Sequence, residues 1–222
     1  MRLYLSSYRI GDRAGSLLAL LGSGKRTAIV SNALDAISPT ARAIYREEVY
    51  DPHIELRALG LDTEELDLRR YFGQPEALRE QLGAFDLVWV MGGNAFVLRR
   101  AMKQSGFDDV IVGMLDHDAI VYGGFSAGAV VAAPTLRGID LMDDPAEVPA
   151  GYDPETTWDG LGLIDYSIVP HFRSQHPESA AAERAVRHLC GRGMRYRALR
   201  DGEVIVWTET RTQAADTLVR IA

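Results

Sequence analysis

Short apolar runs alternate along this chain with longer segments of helical periodicity, and this alternation restricts the possible folds more than any other feature. The apolar runs, typical of strands, cover residues 2–7, 27–31, 65–68, 86–91, 119–124 and 163–170. The helical segments include residues 14–21, 40–49, 75–82 and 96–115, the last with an expected break near Gly106. Strands separated by helices form right-handed βαβ units. The pattern therefore predicts an α/β fold with a mostly parallel sheet sandwiched by helices.

The end of the chain carries a different signal. Asp201-Gly202 separates two short strand-like pieces, and this dipeptide is typical of a β-hairpin turn. We therefore expect antiparallel strands near the C-terminus. Because the 222 residues contain no linker and no repeat, the sequence predicts one domain over residues 1–222.

Composition and charge exclude several classes of function. The formal net charge is -7 and the sequence has no basic run, so nucleic acid is not expected as a partner. No apolar run approaches the roughly 20 residues that cross a bilayer, and the first residues are too polar for a signal peptide. The single cysteine, Cys190, precludes an intrachain disulfide and favours a cytoplasmic location.

A serine flanked by glycines follows one of the apolar strands. Ser126 lies in residues 124–128 (GFSAG), between the strand at 119–122 and an apparent helix at 127–133. Gly-x-Ser-x-Gly in this context indicates a nucleophile elbow, where the serine occupies a sharp, strained turn and faces the positive end of the next helix. Two glycines around a serine also recur by chance, but the flanking strand and helix favour Ser126 as a catalytic nucleophile.

A nucleophilic serine needs a general base. His171 follows the apolar strand at 163–170, so it lies at a carboxyl end, where the functional groups of a parallel sheet gather. His176 is a weaker rival that could instead line a substrate cleft. His171 is therefore the predicted base.

A carboxylate must then orient the imidazole. Four acidic residues crowd the loop between the elbow helix and the strand before His171: Asp140, Asp143, Asp144 and Glu147. Their spacing does not choose among them, and such a loop is also typical of a solvated turn.

The Gly92-Gly93-Asn94 turn ends the strand at 86–91, which is expected beside the elbow strand. A glycine N–H of this turn can pair with the N–H of Ala127 as an oxyanion hole, and one such donor is worth about 2.7–4 kcal/mol in the transition state. Cysteine and histidine do not cluster with metal-ligand spacing in the sequence, so no metal and no cofactor are expected.

Three stretches together resemble peptidase family S51, the peptidase E or aspartyl dipeptidase family. They are residues 92–98 (GGNAFVL), 124–129 (GFSAGA) and 169–172 (VPHF), in matching order and with similar separations. The resemblance covers nearly the whole chain. It implies a fold related to class I glutamine amidotransferase domains, with serine in place of their cysteine, and a Ser-His-Asp/Glu triad.

The resemblance implies the same nucleophile and base, and it adds Gly93 and Ala127 as the oxyanion donors. The family's acidic residue follows a Pro-Thr-hydrophobic-Arg run. In this chain that run is residues 134–137 (PTLR), which makes Asp140 the best match.

One departure concerns the substrate. The aspartyl dipeptidases hold the substrate's N-terminal aspartate with an arginine shortly after the histidine strand, whereas this chain has alanines at 180–182. Arg173 or Arg184 would have to substitute from a shifted position. The predicted substrate-binding residues are Asn94, Arg173, His176 and Arg184.

The sequence thus predicts a serine-type dipeptidase or short-peptide hydrolase that acts through an acyl-enzyme, as a monomer or homodimer. An Asp-X preference is expected only if another arginine replaces the missing one. Two alternatives share the elbow. One is a small serine esterase of the α/β-hydrolase type, and the other is a non-catalytic binding module that keeps the elbow for packing.

Overall fold

Short strands form two sheets in the computed structural model, which describes residues 1–208. The strands in this part of the chain are β1 (Arg2–Ser6), β2 (Arg26–Val30), β3 (Asp62–Glu65), β4 (Leu87–Val90), β5 (Val121–Phe125), β6 (Ser167–Val169), β7 (Tyr196–Ala198) and β8 (Val204–Thr208). The main sheet has the order β3-β2-β4-β5-β1-β8, and β6 pairs with β7 in a small second sheet.

All neighbours in the main sheet are parallel except β1 and β8, which are antiparallel. The helices of the described chain are α1 (Ala14–Leu21), α2 (Pro39–Glu48), α3 (Pro52–Ala58), α4 (Pro75–Leu82), α5 (Ala95–Ser105), α6 (Phe107–Asp116), α7 (Ala127–Val130) and α8 (Ser179–Gly191). The predicted α/β class is confirmed.

Alternation along the strands gives the main sheet two buried faces. In β4, Val88 and Val90 join the apolar cluster under α4 to α7, whereas Leu87 and Trp89 join the cluster under α1 and α3. All four side chains are fully buried. Successive strand residues point to opposite faces, so a continuous apolar run is what a sheet covered on both sides requires.

One helical segment divides where a break was expected, and another helix is shorter than predicted. The segment at 96–115 divides at Gly106, whose φ of +73° ends α5 before α6 begins. The elbow helix, expected to continue to residue 133, ends at Val130. Pro134 has no N–H to extend the helix, and the carbonyl of Val131 accepts instead from the N–H of Leu161.

The predicted hairpin at Asp201-Gly202 is wrong, although an antiparallel strand does occur near the end. β7 pairs parallel with β6 in the small sheet, whereas β8 pairs antiparallel with β1 in the main sheet. The chain therefore uses Asp201-Gly202 to pass from one sheet to the other.

No helix within residues 1–208 has the length and apolar character that a membrane crossing requires.

Candidate active site

Ser126 lies on a strained turn between β5 and α7. Its φ of 48° and ψ of -116° are unusual for a residue with a side chain, and such strain persists only where the surroundings enforce it. Around Ser126, main-chain atoms of neighbouring segments provide this constraint. A Cβ on Gly128 would overlap the carbonyl oxygen of Val90, and a Cβ on Gly124 would come within 2.9 Å of that oxygen. The two glycines of the motif therefore allow β4 to approach the turn.

The Ser126 hydroxyl contacts a histidine, which in turn contacts a carboxylate. His171 Nε2 lies 3.1 Å from Ser126 Oγ, and His171 Nδ1 lies 2.8 Å from Asp201 Oδ1. Because a carboxylate only accepts hydrogen bonds, Nδ1 carries the proton and Nε2 presents a lone pair to the hydroxyl. This arrangement can remove the Ser126 proton as the oxygen attacks an electrophile.

The environment of His171 favours its neutral form. The residue is 1% exposed, and burial lowers the pKa of its imidazole below the ordinary 6.5. Asp201 and Glu178 oppose this by stabilising the imidazolium, whereas His176 adds to it. A neutral imidazole at pH 7 is the form that can accept a proton.

Asp140, which the family resemblance favoured as the acid, does not contact the histidine. Its carboxylate accepts the N–H of Gly138 at 2.8 Å and stabilises the short helical turn Ile139–Leu141. The acid at His171 is Asp201, so the geometry corrects the Asp140 prediction. An aspartate can accept a hydrogen bond from a main-chain N–H of its own loop at little entropic cost, and this local contact occupies Asp140.

The other three acidic candidates lie near the start of α5. Asp143 accepts the N–H of Ala95 at 2.8 Å, and burial raises the pKa of its carboxyl to about 7, with Glu178 and Glu147 adding to the increase. Asp144 accepts from Ala146 N, and Glu147 accepts from Asn94 Nδ2 at 2.8 Å.

Sequence reasoning missed Asp201 because its Asp-Gly dipeptide was assigned to a hairpin. Asp201 follows β7, and His171 follows β6, which is the parallel neighbour of β7. The carboxyl ends of parallel strands meet at one edge. The strand-end rule that selected His171 would also have selected Asp201, had β7 been paired with β6.

The Gly92-Gly93 turn lies beside Ser126, as expected from the parallel pairing of β4 and β5. A Cβ on Gly92 would come within 3.0 Å of the Ser126 Cβ. Within residues 1–208, the N–H groups of Gly93 and Ala127 donate to no protein acceptor. Two unused donors next to a nucleophile are suited to a developing negative charge.

Aromatic rings enclose the histidine. The ring of His176 stacks on that of His171 at 3.6 Å with an 8° interplanar angle, and Tyr8 meets both rings edge-on. Glu178 Oε2 lies 3.8 Å from His171 Nε2. The predicted substrate-binding residue His176 therefore lies at the site, against the face of the base.

Among the described residues, His171, His176 and Glu178 form a group whose donor atoms lie within 4.8 Å of one another. The rings of His171 and His176 are stacked and nearly parallel. Because an imidazole binds a metal ion in the plane of its ring, one ion cannot lie in both ring planes. His176 Nδ1 also accepts the N–H of Glu178 at 3.2 Å. As arranged, the group does not present the converging ligands that a zinc ion needs.

The other predicted substrate-binding residues have structural contacts of their own. Asn94 Oδ1 accepts from Phe96 N and Val97 N, so its side chain caps α5. The Arg173 side chain is 63% exposed and lies over the ring of Phe172. Arg184 Nη2 donates to the carbonyl of Leu141 at 3.5 Å.

An arginine that sequence reasoning missed contacts the ring of Tyr8, which in turn contacts the ring of His171. The Arg9 guanidinium lies 4.8 Å from the ring centre of Tyr8 and 5.0 Å from that of Tyr50, and it donates to the carbonyl of Val49. Its Nε is buried without a hydrogen-bond partner among residues 1–208. No sequence signal identified Arg9, since two of its contacts, with Val49 and Tyr50, come from a distant segment.

This chain resembles a known protein family and several known proteins. A model of Peptidase family S51 matches residues 20–214. The chain belongs to this family. The S51 membership confirms the resemblance based on residues 92–98, 124–129 and 169–172. It agrees with the serine, histidine and glycine turn that the fold brings together.

Two curated proteins illustrate the sequence similarity. An uncharacterized peptidase from Listeria monocytogenes is 32% identical over 144 residues, which cover 64% of this chain and 65% of that protein. Peptidase E from Streptomyces coelicolor is 30% identical over 164 residues, covering 74% of this chain and 58% of that protein. These alignments span less than two thirds of each relative's length.

A solved structure matches over more of the chain. A Listeria monocytogenes EGD-e protein, provisionally named peptidase E, superposes with a TM-score of 0.71 and 25% identity, covering 94% of this chain and 98% of that one. A peptidase from an acI-B1 actinobacterium gives a TM-score of 0.62 at 15% identity, which supports the fold.

Proposed function

We propose that this S51 member is a serine peptidase that hydrolyses dipeptides or other short peptides through an acyl-enzyme. The observation that carries the proposal is the continuous contact from Ser126 Oγ to His171 Nε2, at 3.1 Å, and from His171 Nδ1 to Asp201, at 2.8 Å. A strained serine, a neutral histidine and a carboxylate in this order are the parts that acyl transfer needs.

The reaction begins when Ser126 Oγ attacks the scissile carbonyl carbon and His171 Nε2 takes the hydroxyl proton. The carbonyl oxygen becomes an oxyanion, which the N–H groups of Gly93 and Ala127 stabilise. The C–N bond then breaks as His171 gives its proton to the leaving amine. Asp201 holds the Nδ1–H throughout and stabilises the imidazolium.

The ester between Ser126 and the acyl group is resolved by water. His171 removes a proton from the water as its oxygen attacks the ester carbonyl, and the same two N–H groups stabilise the second oxyanion. Collapse releases the carboxylic acid product, and His171 returns the proton to Ser126 Oγ. The enzyme is thereby restored to its starting state.

Arg9 supports acceptance of a peptide with an acidic side chain. Its guanidinium lies on the Tyr8 ring, which contacts the His171 ring at 5.8 Å. A guanidinium separated from the candidate base by one aromatic ring supplies a positive charge that can pair with a substrate carboxylate. Arg9 would thus fill the role of the arginine that α8 lacks, and Arg9→Met should raise KM for Asp-X peptides more than for Ala-X peptides.

The decisive experiment measures hydrolysis of a panel of Asp-X and non-Asp dipeptides and tripeptides by wild type and Ser126→Ala. A fluorophosphonate probe should label Ser126 in the folded wild type and leave Ser126→Ala unlabelled. Peptide hydrolysis that survives in Ser126→Ala would contradict the proposal. Turnover of short acyl esters without any peptide would indicate an esterase, and absence of labelling would indicate a binding module.

A further inference from the structure

Ser7, the residue directly after β1, is fully buried and takes no part in the proposed chemistry. Its hydroxyl nevertheless contacts two members of the candidate triad. Ser7 Oγ accepts the main-chain N–H of His171 at 2.8 Å and lies 2.9 Å from Asp201 Oδ1. One small side chain therefore contacts both the base and the acid.

The single hydroxyl proton of Ser7 has two acceptors within reach, Asp201 Oδ1 at 2.9 Å and the carbonyl of Leu199 at 3.2 Å. The Leu199 carbonyl already accepts the N–H of Phe172 at 2.9 Å. A hydrogen bond to a charged acceptor is shorter and stronger than one between neutral groups. The proton therefore goes to Asp201, on the same oxygen that accepts the Nδ1–H of His171.

Ser6, the residue before Ser7, contacts the third member of the candidate triad, Ser126. The carbonyl of Ser6 accepts the main-chain N–H of Ser126 at 3.2 Å, because β1 and β5 run parallel with Ser6 opposite Phe125. Ser6, the last residue of β1, and Ser7, which follows it, thus contact nucleophile, base and acid, which come from three distant parts of the sequence.

His171 needs such support. Its φ is +60°, a conformation that is uncommon for a residue other than glycine. The hydrogen bond from its N–H to Ser7 fixes the main chain in that conformation, and the side chain then points at Ser126. A buried N–H without this acceptor would lack any compensation for its lost hydration.

We infer that Ser7 is a positioning residue for the proposed reaction: its hydroxyl ties the main chain of His171 to the carboxylate of Asp201 and so fixes the imidazole toward Ser126. This inference rests on the proposed function for its kinetic consequences. The hydrogen bonds themselves do not depend on the identity of the substrate.

Ser7→Ala removes both bonds and leaves the rest of the site in place. We expect kcat to fall about 10- to 100-fold, the range that loss of a hydrogen bond to a charged group produces, with KM within about twofold. Without the hydroxyl, the charge of Asp201 acts on His171 alone. The imidazolium is then better stabilised, so the acid limb of the kcat/KM profile should move to higher pH.

The groups that face His171 from the packed elements are Tyr8, His176, Glu178 and Asp201, and all four are retained in the variant. A matched control is Ser105→Ala. Ser105 is also fully buried, and its hydroxyl donates to the carbonyl of Met102 at 3.1 Å, in α5. This control loses a buried hydroxyl without touching the triad, so it should keep the wild-type kcat and acid limb.

The experiment compares kcat, KM, the pH profile and the melting temperature of wild type, Ser7→Ala, Ser7→Cys and Ser105→Ala. Cysteine has a similar shape but is a weaker donor, so Ser7→Cys should lie between serine and alanine in kcat. Proton NMR of the His171 Nδ1–H resonance adds a readout that needs no substrate. This resonance should shift or broaden in Ser7→Ala, to a smaller extent in Ser7→Cys, and not in Ser105→Ala.

Wild-type kcat, acid limb and Nδ1–H resonance in Ser7→Ala would overturn the inference. Should Ser7→Ala fail to fold, the same result in Ser7→Cys would overturn it. Failure of the proposed function would give a different experimental result. Wild type would then hydrolyse no peptide, while the Nδ1–H resonance would still report whether Ser7 positions the imidazole.

Discussion

The two halves of the candidate site are built in different ways. The nucleophile half lies within five consecutive residues, where Gly124 and Gly128 allow close backbone approach around Ser126. The acid–base half joins His171 and Asp201, thirty residues apart, through a pair of three-residue strands and one buried serine. The first half is encoded locally, whereas the second exists only after β6, β7 and the end of β1 have met.

The largest expected effect tests the acid–base half. Asp201→Asn should lower kcat by about 10,000-fold, because an amide no longer holds the Nδ1–H tautomer or the imidazolium. Asp140→Asn is the matched control, since its side-chain oxygen can still accept from Gly138 N, and kcat should stay within about twofold. Steady-state kinetics with a cleaved peptide measures both. A large loss in Asp140→Asn with activity retained in Asp201→Asn would restore the earlier assignment.

The next effect tests the nucleophile half. Gly128→Ala would place a methyl group on the Val90 carbonyl oxygen, so we expect a loss of about 3 kcal/mol or more in the free energy of unfolding. The control is Gly15→Ala in α1, where an added Cβ meets nothing within 4 Å and should stabilise by about 0.5–1 kcal/mol. Urea denaturation compares them. Equal stability of the two variants would show that the elbow tolerates a side chain.

A smaller effect concerns the protonation of the base. Burial lowers the pKa of His171 below 6.5, so the acid limb of the wild-type kcat/KM profile should have its midpoint below pH 6.5. Activity is lost as pH falls through that midpoint, because the imidazolium cannot accept the Ser126 proton. A midpoint above 6.5 in a buffer of constant ionic strength would mean that Asp201 outweighs burial.

The smallest expected effect concerns Asp143, which belongs to neither half of the candidate site. The pKa of this carboxyl is about 7 in the folded protein, against an ordinary 3.8, so the folded state binds more protons than the unfolded state between these values. The contribution of Asp143 to wild-type stability should therefore fall as pH rises from about 4 to about 7. Asp143→Asn carries no charge, and its stability relative to wild type should increase between pH 5 and pH 8 in thermal melts. A constant difference would contradict the raised pKa.

The sequence by itself determined the features that depend on neighbouring residues. The apolar runs predicted the sandwiched parallel sheet, and the GFSAG stretch predicted the strained turn at Ser126. His171 was predicted because one strand leads directly to it. Each of these signals lies within about ten residues, the range over which steric and burial patterns act along a chain.

Only the tertiary structure decided which carboxylate contacts His171. Asp140 lies closer in sequence to the elbow than Asp201 does, yet its carboxylate accepts the N–H of Gly138 in its own loop. Asp201 reaches the imidazole because β7 pairs parallel with β6 instead of forming a hairpin with β8. Strand pairing is set by burial across the whole domain, and no dipeptide encodes it. For the same reason, the contact of Ser7 with both residues could not be found before the strands were placed.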